Sequence, residues 1–251
     1  MDIKSGLFGS HQESHRHSLE TLSLLERYDD FMGSLETVYD MGAGAGYDAE
    51  WWATRTNPQT GKPYDIQCFA LDAHDQRRVH LRHNLNYLVA DFEEPDPGRR
   101  ADLIWSHDSF RFTTNPLGLL KTWNSNLIDG GALMLITPQT HILHQGNKLP
   151  RATSYSYFYY DITNLMYMLA VAGFDCRQGH FWKQRGDPWI HAFVYKIREP
   201  LDPKTTSLGT LVDLNAFTDS VINGIKSSGE LRQEDIFTHW ISGHYCRWSE
   251  V

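Results

Sequence analysis

The chain has 251 residues, 41% of them hydrophobic and 13% aromatic, with a formal net charge of −8. That apolar content builds a sizeable core, which excludes a disordered or collagenous chain. An acidic balance without any Lys/Arg run argues against a protein that grips nucleic acid through its phosphates.

The first predicted element is a helix over residues 18–32, SLETLSLLERYDDFM, with Leu19, Leu22, Leu25 and Tyr28 at helical spacing. Ser18 is placed for its N-cap and Glu20 for its first turn. Thr37–Met41 reads as a short buried strand, followed by GAGAG and a helix from Asp48 to Arg55 in which Trp51 and Trp52 pack. YDIQCFALD (64–72) is the second strand, AHDQRRVHLRHN (73–84) a polar helix and NYLVADF (86–92) the third strand. ADLIWS (101–106) is the fourth, PLGLLKTWNSNLI (116–128) a helix stopped by the Gly130-Gly131 turn, and ALMLITP (132–138) the fifth strand. This alternation predicts a parallel sheet with helices on its faces. The strands are continuous apolar runs, as expected when both faces are covered.

Residues 138–156 show no period and are expected to form a lid or mobile segment over an acceptor. His141 and His144 lie there with Tyr155, near Tyr157, Tyr159 and Tyr160, which either line a substrate pocket or pack in the core. A helix over 159–174, strands over 175–184 and 188–197, a linker at 199–210 and helices near 211–223 and 230–241 follow. The expected fold is α/β: a doubly wound, mostly parallel sheet of about seven strands with the last antiparallel. A helical cap (1–35), a core (36–198) and a helical extension (199–251) are expected in one structural domain.

The stretch VYDMGAGAGYDAEWW carries the first chemistry, with Gly42, Gly44 and Gly46 at a strand-to-helix turn. Glycines there let a ligand lie against backbone N–H groups. The spacing is not the dinucleotide GxGxxG, because Tyr47 stands at its third glycine position. Asp72 ends the second strand, where a carboxylate accepts both hydroxyls of a ribose. Asp91-Phe92 ends the third, where an acid can bond an adenine amino group while the ring packs on the base.

This ordered set resembles the class I S-adenosylmethionine-dependent methyltransferases, over roughly residues 36–197. Their (D/E)xGxGxG, strand-two acid and strand-three D-aromatic are matched by Asp40, Gly42, Gly44, Gly46, Asp72 and Asp91-Phe92. Ala43 stands where that family often has cysteine, a position that mainly needs a small side chain. The resemblance implies a site for S-adenosyl-L-methionine made by these residues with Ala43, Ala73, Ser106 and His107. Departures are equally specific: SHDS replaces the (D/N/S)PP(Y/F) tetrapeptide of amino-directed DNA methyltransferases. No Pro-Cys nucleophile for carbon-5 methylation appears, and no glutamate pair for arginine methylation.

His107 follows the fourth strand, where ligands bind in open α/β sheets. It is a candidate general base, with Asp108 to orient it or act in its place. A backbone-only cofactor contact or a turn cap are the alternatives. His11, His15 and His17 lack a carboxylate or cysteine to complete a metal set, so no metal is expected. The three cysteines form no CxxC pair, and neither a secretion signal nor a membrane span is read. A cytoplasmic protein is therefore expected. The expected function is methyl transfer to an oxygen or nitrogen of a small-molecule acceptor, a sugar or other metabolite. A cofactor-binding scaffold without turnover is the alternative, and a nicotinamide oxidoreductase the third.

Overall fold

The computed structural model describes residues 11–95, 98–139, 158, 160–182, 189–239 and 245–247. The chain divides into two compact units, Met1–Ser109 and Phe110–Val251. The sheet has seven strands, and in chain numbering their order is 3-2-1-4-5-7-6.

The first unit holds helices α1 (His11–Leu25), α2 (Asp29–Ser34) and α3 (Tyr47–Thr54) and strands β1 (Thr37–Met41), β2 (Gln67–Asp72), β3 (Leu85–Val89) and β4 (Ala101–His107). β1 pairs in parallel with β2 and β4, and β2 with β3, as the apolar runs predict. Trp52 and Trp105 are fully buried and meet edge to face at 5.8 Å, with Trp51 against Trp52 at 4.9 Å. Asn84 ties α3 to the start of β2, donating to the carbonyls of Ala53 and Ile66 at 2.9 and 3.1 Å.

Two expectations fail here. Residues 73–84 form turns rather than a polar helix. The His74 N–H donates to the Asp72 carboxylate at 2.9 Å and the Arg78 N–H to the Ala45 carbonyl at 3.0 Å. Donors needed for a helical ladder are committed to local and loop acceptors instead. Ser18 is not an N-cap, because α1 begins at His11 and places Ser18 in its interior, buried.

The second unit holds α4 (Pro116–Asn126), β5 (Leu127–Pro138), α5 (Ile162–Val171), β6 (His180–Trp182), β7 (Trp189–Tyr195), α6 (Leu208–Asp213), α7 (Asp219–Ser228), β8 (Phe237–His239) and β9 (Tyr245–Arg247). β7 runs antiparallel to both β5 and β6, which gives the expected antiparallel final strand of the main sheet. Asn115 and Asp161 cap α4 and α5, accepting from Gly118 N and Asn164 N at 3.0 and 2.9 Å. Gly130 and Gly131 do not end in a free turn: β5 runs through them, and Lys196 N–H donates to Gly131 O at 2.8 Å.

The helix expected near 211–223 is two helices, broken where Asn215 adopts φ 55°. The helix expected over 230–241 is replaced by a 3-10 turn at Gln233–Asp235 and by β8, which pairs with β9. Ile236, Phe237 and Thr238 are β-branched or aromatic and favour the strand. The expected lid falls almost wholly outside the described residues, as do His141, His144, Tyr155, Tyr157 and Tyr159. Tyr160 is described and buried, stacked on Phe110 at 4.9 Å. Among the described residues no helix is long and apolar enough to cross a membrane.

Candidate functional site

The site is assembled in the first unit around the turn between β1 and α3. Gly42, Gly44 and Gly46 all have left-handed φ, 75°, 53° and 86°, a region open to glycine at little cost. The N–H groups of Gly42 and Ala43 both donate to the Leu71 carbonyl, at 2.8 and 2.9 Å, which pins the turn to β2. Gly44 N–H donates to Asp72 Oδ2 at 2.9 Å, and Gly44 O accepts from the Tyr87 hydroxyl at 2.6 Å. The turn is therefore fixed at its middle by a carboxylate and a phenol from the two neighbouring strands.

Two of the glycines also answer to protein packing. A Cβ on Gly42 would lie 2.3 Å from Ser109 Cβ, and one on Gly46 2.8 Å from Val79 Cγ2. Ser109 in turn donates to the Met41 carbonyl at 2.5 Å and shares a 2.8 Å hydrogen bond with Ser106. Asp108 takes φ 58°, and this left-handed step after β4 turns the chain so that Ser109 reaches Gly42. Ser106 is thus joined to the glycine turn, and His107 stands beside it, half-buried at the carboxyl end of β4.

Asp72 is largely buried, and its carboxylate takes three protein donors: Gly44 N, His74 N at 2.9 Å and Gln76 Nε2 at 3.3 Å. A carboxylate offers about four acceptor positions, so one is left on Oδ2 for a ligand hydroxyl. Ala73 beside it is exposed. Asp91 lies beyond the end of β3, exposed, and its side chain accepts from Glu93 N at 2.8 Å. Phe92 is half-buried. Among the described residues the Asp91 side chain is engaged with the Glu93 N–H rather than with the glycine turn.

Asp40 is the most deeply buried acid of the set, 3% exposed. The Ala49 N–H in the first turn of α3 donates to its carboxyl, while Oδ2 meets no donor among the described residues. Burial, then the charge of Asp48, push its pKa well above the ordinary carboxylate value; the Ala49 hydrogen bond opposes them and Asp72 adds to them.

Sequence reasoning missed the centre of this region. Asp48 is buried, and its Oδ1 accepts from Ser18 Oγ at 2.6 Å and meets His15 Nδ1 at 2.5 Å. Its Oδ2 accepts from Trp105 Nε1 at 3.0 Å. One carboxylate thereby joins α1, α3 and β4 directly behind the glycine turn. The signal was in the sequence as an acid following the third glycine, but its donors are distant along the chain. Trp105→Phe removes the N–H together with part of the buried indole, so it should cost at least about 1–3 kcal/mol of stability, the lost hydrogen bond adding to the cavity left behind. Urea unfolding with an unchanged midpoint would show that Asp48 does not depend on this bond. His15 is engaged with Asp48, and among the described residues no group of three or more His, Cys, Asp and Glu could hold a metal.

Two open clefts, one beside Lys62, Arg82 and His83 and one beside Tyr167, Leu208 and Leu231, include no residue of the glycine turn.

Residues 39–135 match the family described as a methyltransferase domain. A curated relative, malonyl-[acyl-carrier protein] O-methyltransferase 2 of Ilyobacter polytropus, is 33% identical over 60 residues. That match spans 24% of this chain and 23% of the relative, so the chain aligns with under a quarter of its length. Among solved structures, a chain from the Haloferax volcanii complex of the Trm112 methyltransferase activator with a methyltransferase has TM-score 0.53 at 15% identity, covering 74% of this chain and 95% of its own. The plantazolicin methyltransferase BamL, in complex with S-adenosylhomocysteine and a triazolic substrate analogue, has TM-score 0.52 at 16% identity, covering 74% and 90%. Both share the fold. The glycine turn tied to the strand-two acid and the strand order agree with the methyltransferase domain matched over residues 39–135, and are similar to those of class I S-adenosylmethionine-dependent methyltransferases, whose cofactor is S-adenosylmethionine.

Proposed function

We propose that this chain transfers the methyl group of S-adenosylmethionine to an oxygen or nitrogen of a small-molecule acceptor, such as a sugar or other metabolite. The observation that carries the reading is the Asp72 carboxylate, which holds the glycine turn through Gly44 N–H and keeps an acceptor position for a ligand hydroxyl. The Oδ2 of buried Asp40, which meets no donor among the described residues, fits the same ligand, because a buried acceptor without a donor is costly until one arrives. The match to an O-methyltransferase favours oxygen as the accepting atom. The net charge of −8 favours a small acceptor over nucleic acid. Free, buried Cys68 and Cys176 suit a reducing cytoplasm.

In this reading Asp40, the Gly42–Gly46 backbone with Ala43, Asp72 with Ala73, Asp91-Phe92 and Ser106 hold the cofactor. S-adenosylmethionine supplies a methyl carbon activated by its positive sulfonium. The chain's own work is to align the acceptor in line with that carbon and to take its proton, with reacting atoms about 3–3.5 Å apart. His107, at the carboxyl end of β4, is the group we assign to the proton, with Asp108 beside it.

Asp72→Ala tests the cofactor half. It should weaken S-adenosylhomocysteine binding by about 1.5–3 kcal/mol, the usual loss for hydrogen bonds to a charged group. Calorimetry giving unchanged affinity in a folded variant would remove Asp72 from the site. A screen of sugars and metabolites with methyl-labelled S-adenosylmethionine tests the other half. Binding without transfer to any acceptor would leave a cofactor-holding module.

A further inference from the structure

β3 is the outermost strand of its end of the sheet, and among the described strands it pairs only with β2. Two hydrogen bonds fix which of its backbone groups face inward: Cys68 N–H donates to Asn84 O at 2.7 Å, and Ala90 N–H to Asp72 O at 2.9 Å. Alternate residues of a strand in a parallel ladder direct both backbone groups to the same side, so Asn86 and Leu88 also turn theirs to β2. The groups of Leu85, Tyr87 and Val89 therefore turn to the open side. Leu85 spends its N–H on Arg82 O at 3.2 Å and keeps its carbonyl. The Tyr87 side chain rises off this edge, its hydroxyl donating to Gly44 O at 2.6 Å. No proline and no charged residue interrupts Leu85–Val89, and Val89 is 60% exposed. Such an edge is a template for another strand. Charges of opposite sign stand at its two ends. Arg82 precedes the strand, sharing an open cleft with Lys62 and with His83, which pairs with Asp65 at 3.2 Å. Asp91, Glu93 and Glu94 follow it.

We propose that β3 pairs antiparallel with β3 of a second copy of this chain, about a two-fold axis at Tyr87. The two Tyr87 residues exchange both backbone hydrogen bonds, and Val89 N–H of each copy donates to Leu85 O of the other. A two-fold contact must be self-complementary, and the placement of charge meets that demand. The Arg82 end of each strand comes against the Glu93–Glu94 end of its counterpart, whereas parallel pairing would set like ends together. Val89, left open in the single chain, is covered by the start of the other strand. The pairing is independent of the chemistry assigned to the glycine turn.

Sedimentation velocity of the full chain over a wide range of concentration should show a dimer in exchange with monomer. Val89→Pro removes an N–H that points away from β2, a loss that an edge strand tolerates. It should weaken the dimer at least about tenfold, because a hydrogen bond is lost on each side of the axis. Arg82→Glu should weaken it several-fold, less so in high salt, which screens exposed charges. Arg82→Glu combined with Glu93→Arg and Glu94→Arg reverses both ends and should restore it. A wild type that stays monomeric at every concentration overturns the proposal and leaves the edge to an extended peptide of another protein. A dimer that Val89→Pro leaves intact lies on another surface and overturns it as well. So does a dimer that charge reversal neither weakens nor restores, and this measurement decides even if Val89→Pro does not fold.

Discussion

His107→Ala should lower kcat by roughly 10²- to 10⁴-fold, the range for loss of a general base, with little change in S-adenosylhomocysteine affinity. The reason is position. His107 closes β4 next to Ser106, which is bonded through Ser109 to the carbonyl of Met41 at the start of the glycine turn. In the proposed reading its ring serves the acceptor's proton rather than the hold on the cofactor. The wild-type rate should carry an acid limb, because imidazolium cannot take a proton, and the variant should lack it. Near-normal turnover in His107→Ala would move the base elsewhere, first to Asp108, whose left-handed backbone fixes its direction. An acceptor amine that is already neutral needs only positioning, and would give the same result without any base.

The strands were legible because burial on both faces leaves an unbroken apolar signature. Val38, Tyr39, Cys68, Ala70, Leu71, Leu103 and Ile104 are all buried on neighbouring parallel strands. The connections were less legible, because their backbone donors are claimed by partners that local propensity does not contain. Residues 73–84 carry charges that suit a helix, yet Asp72 and the Ala45 carbonyl take their N–H groups. The C-terminal segment shows the same failure: its β pairing between Phe237–His239 and Tyr245–Arg247 overrides the expected helix.

The site divided in the same way. The glycines and Asp72 were read from the residues and Asp40 with the family resemblance, and the structure joins Gly44 directly to Asp72. It left Asp91 outside that connected set, because β3 stops at Val89 and the acid turns onto Glu93. Asp48 read as a first-turn acid of a helix, which it is, but its role depends on donors from His15, Ser18 and Trp105. Nothing in a local window announces a partner 57 residues away.

Gly42 is the sharpest case of such a distant partner, and Gly42→Ala should be among the most damaging small changes in the chain. The added Cβ would fall 2.3 Å from Ser109 Cβ, on a residue whose φ is +75°. Left-handed backbone costs a non-glycine residue about 1–2 kcal/mol, and forced overpacking about 1–3 kcal/mol more. The loss of stability should therefore be about 2–5 kcal/mol, read from the urea midpoint. Ser109 cannot yield freely, since its hydroxyl is held by Met41 O and Ser106. The strain must then pass into the turn, and S-adenosylhomocysteine affinity should fall with stability. Removing the colliding side chain separates the two costs: in Gly42→Ala with Ser109→Gly the clash is gone and the backbone strain remains. The double variant should be more stable than the sum of its single changes by about 1 kcal/mol or more, as expected for residues in contact. Strict additivity would mean that the two residues do not collide, and that Gly42 is required for its backbone conformation alone.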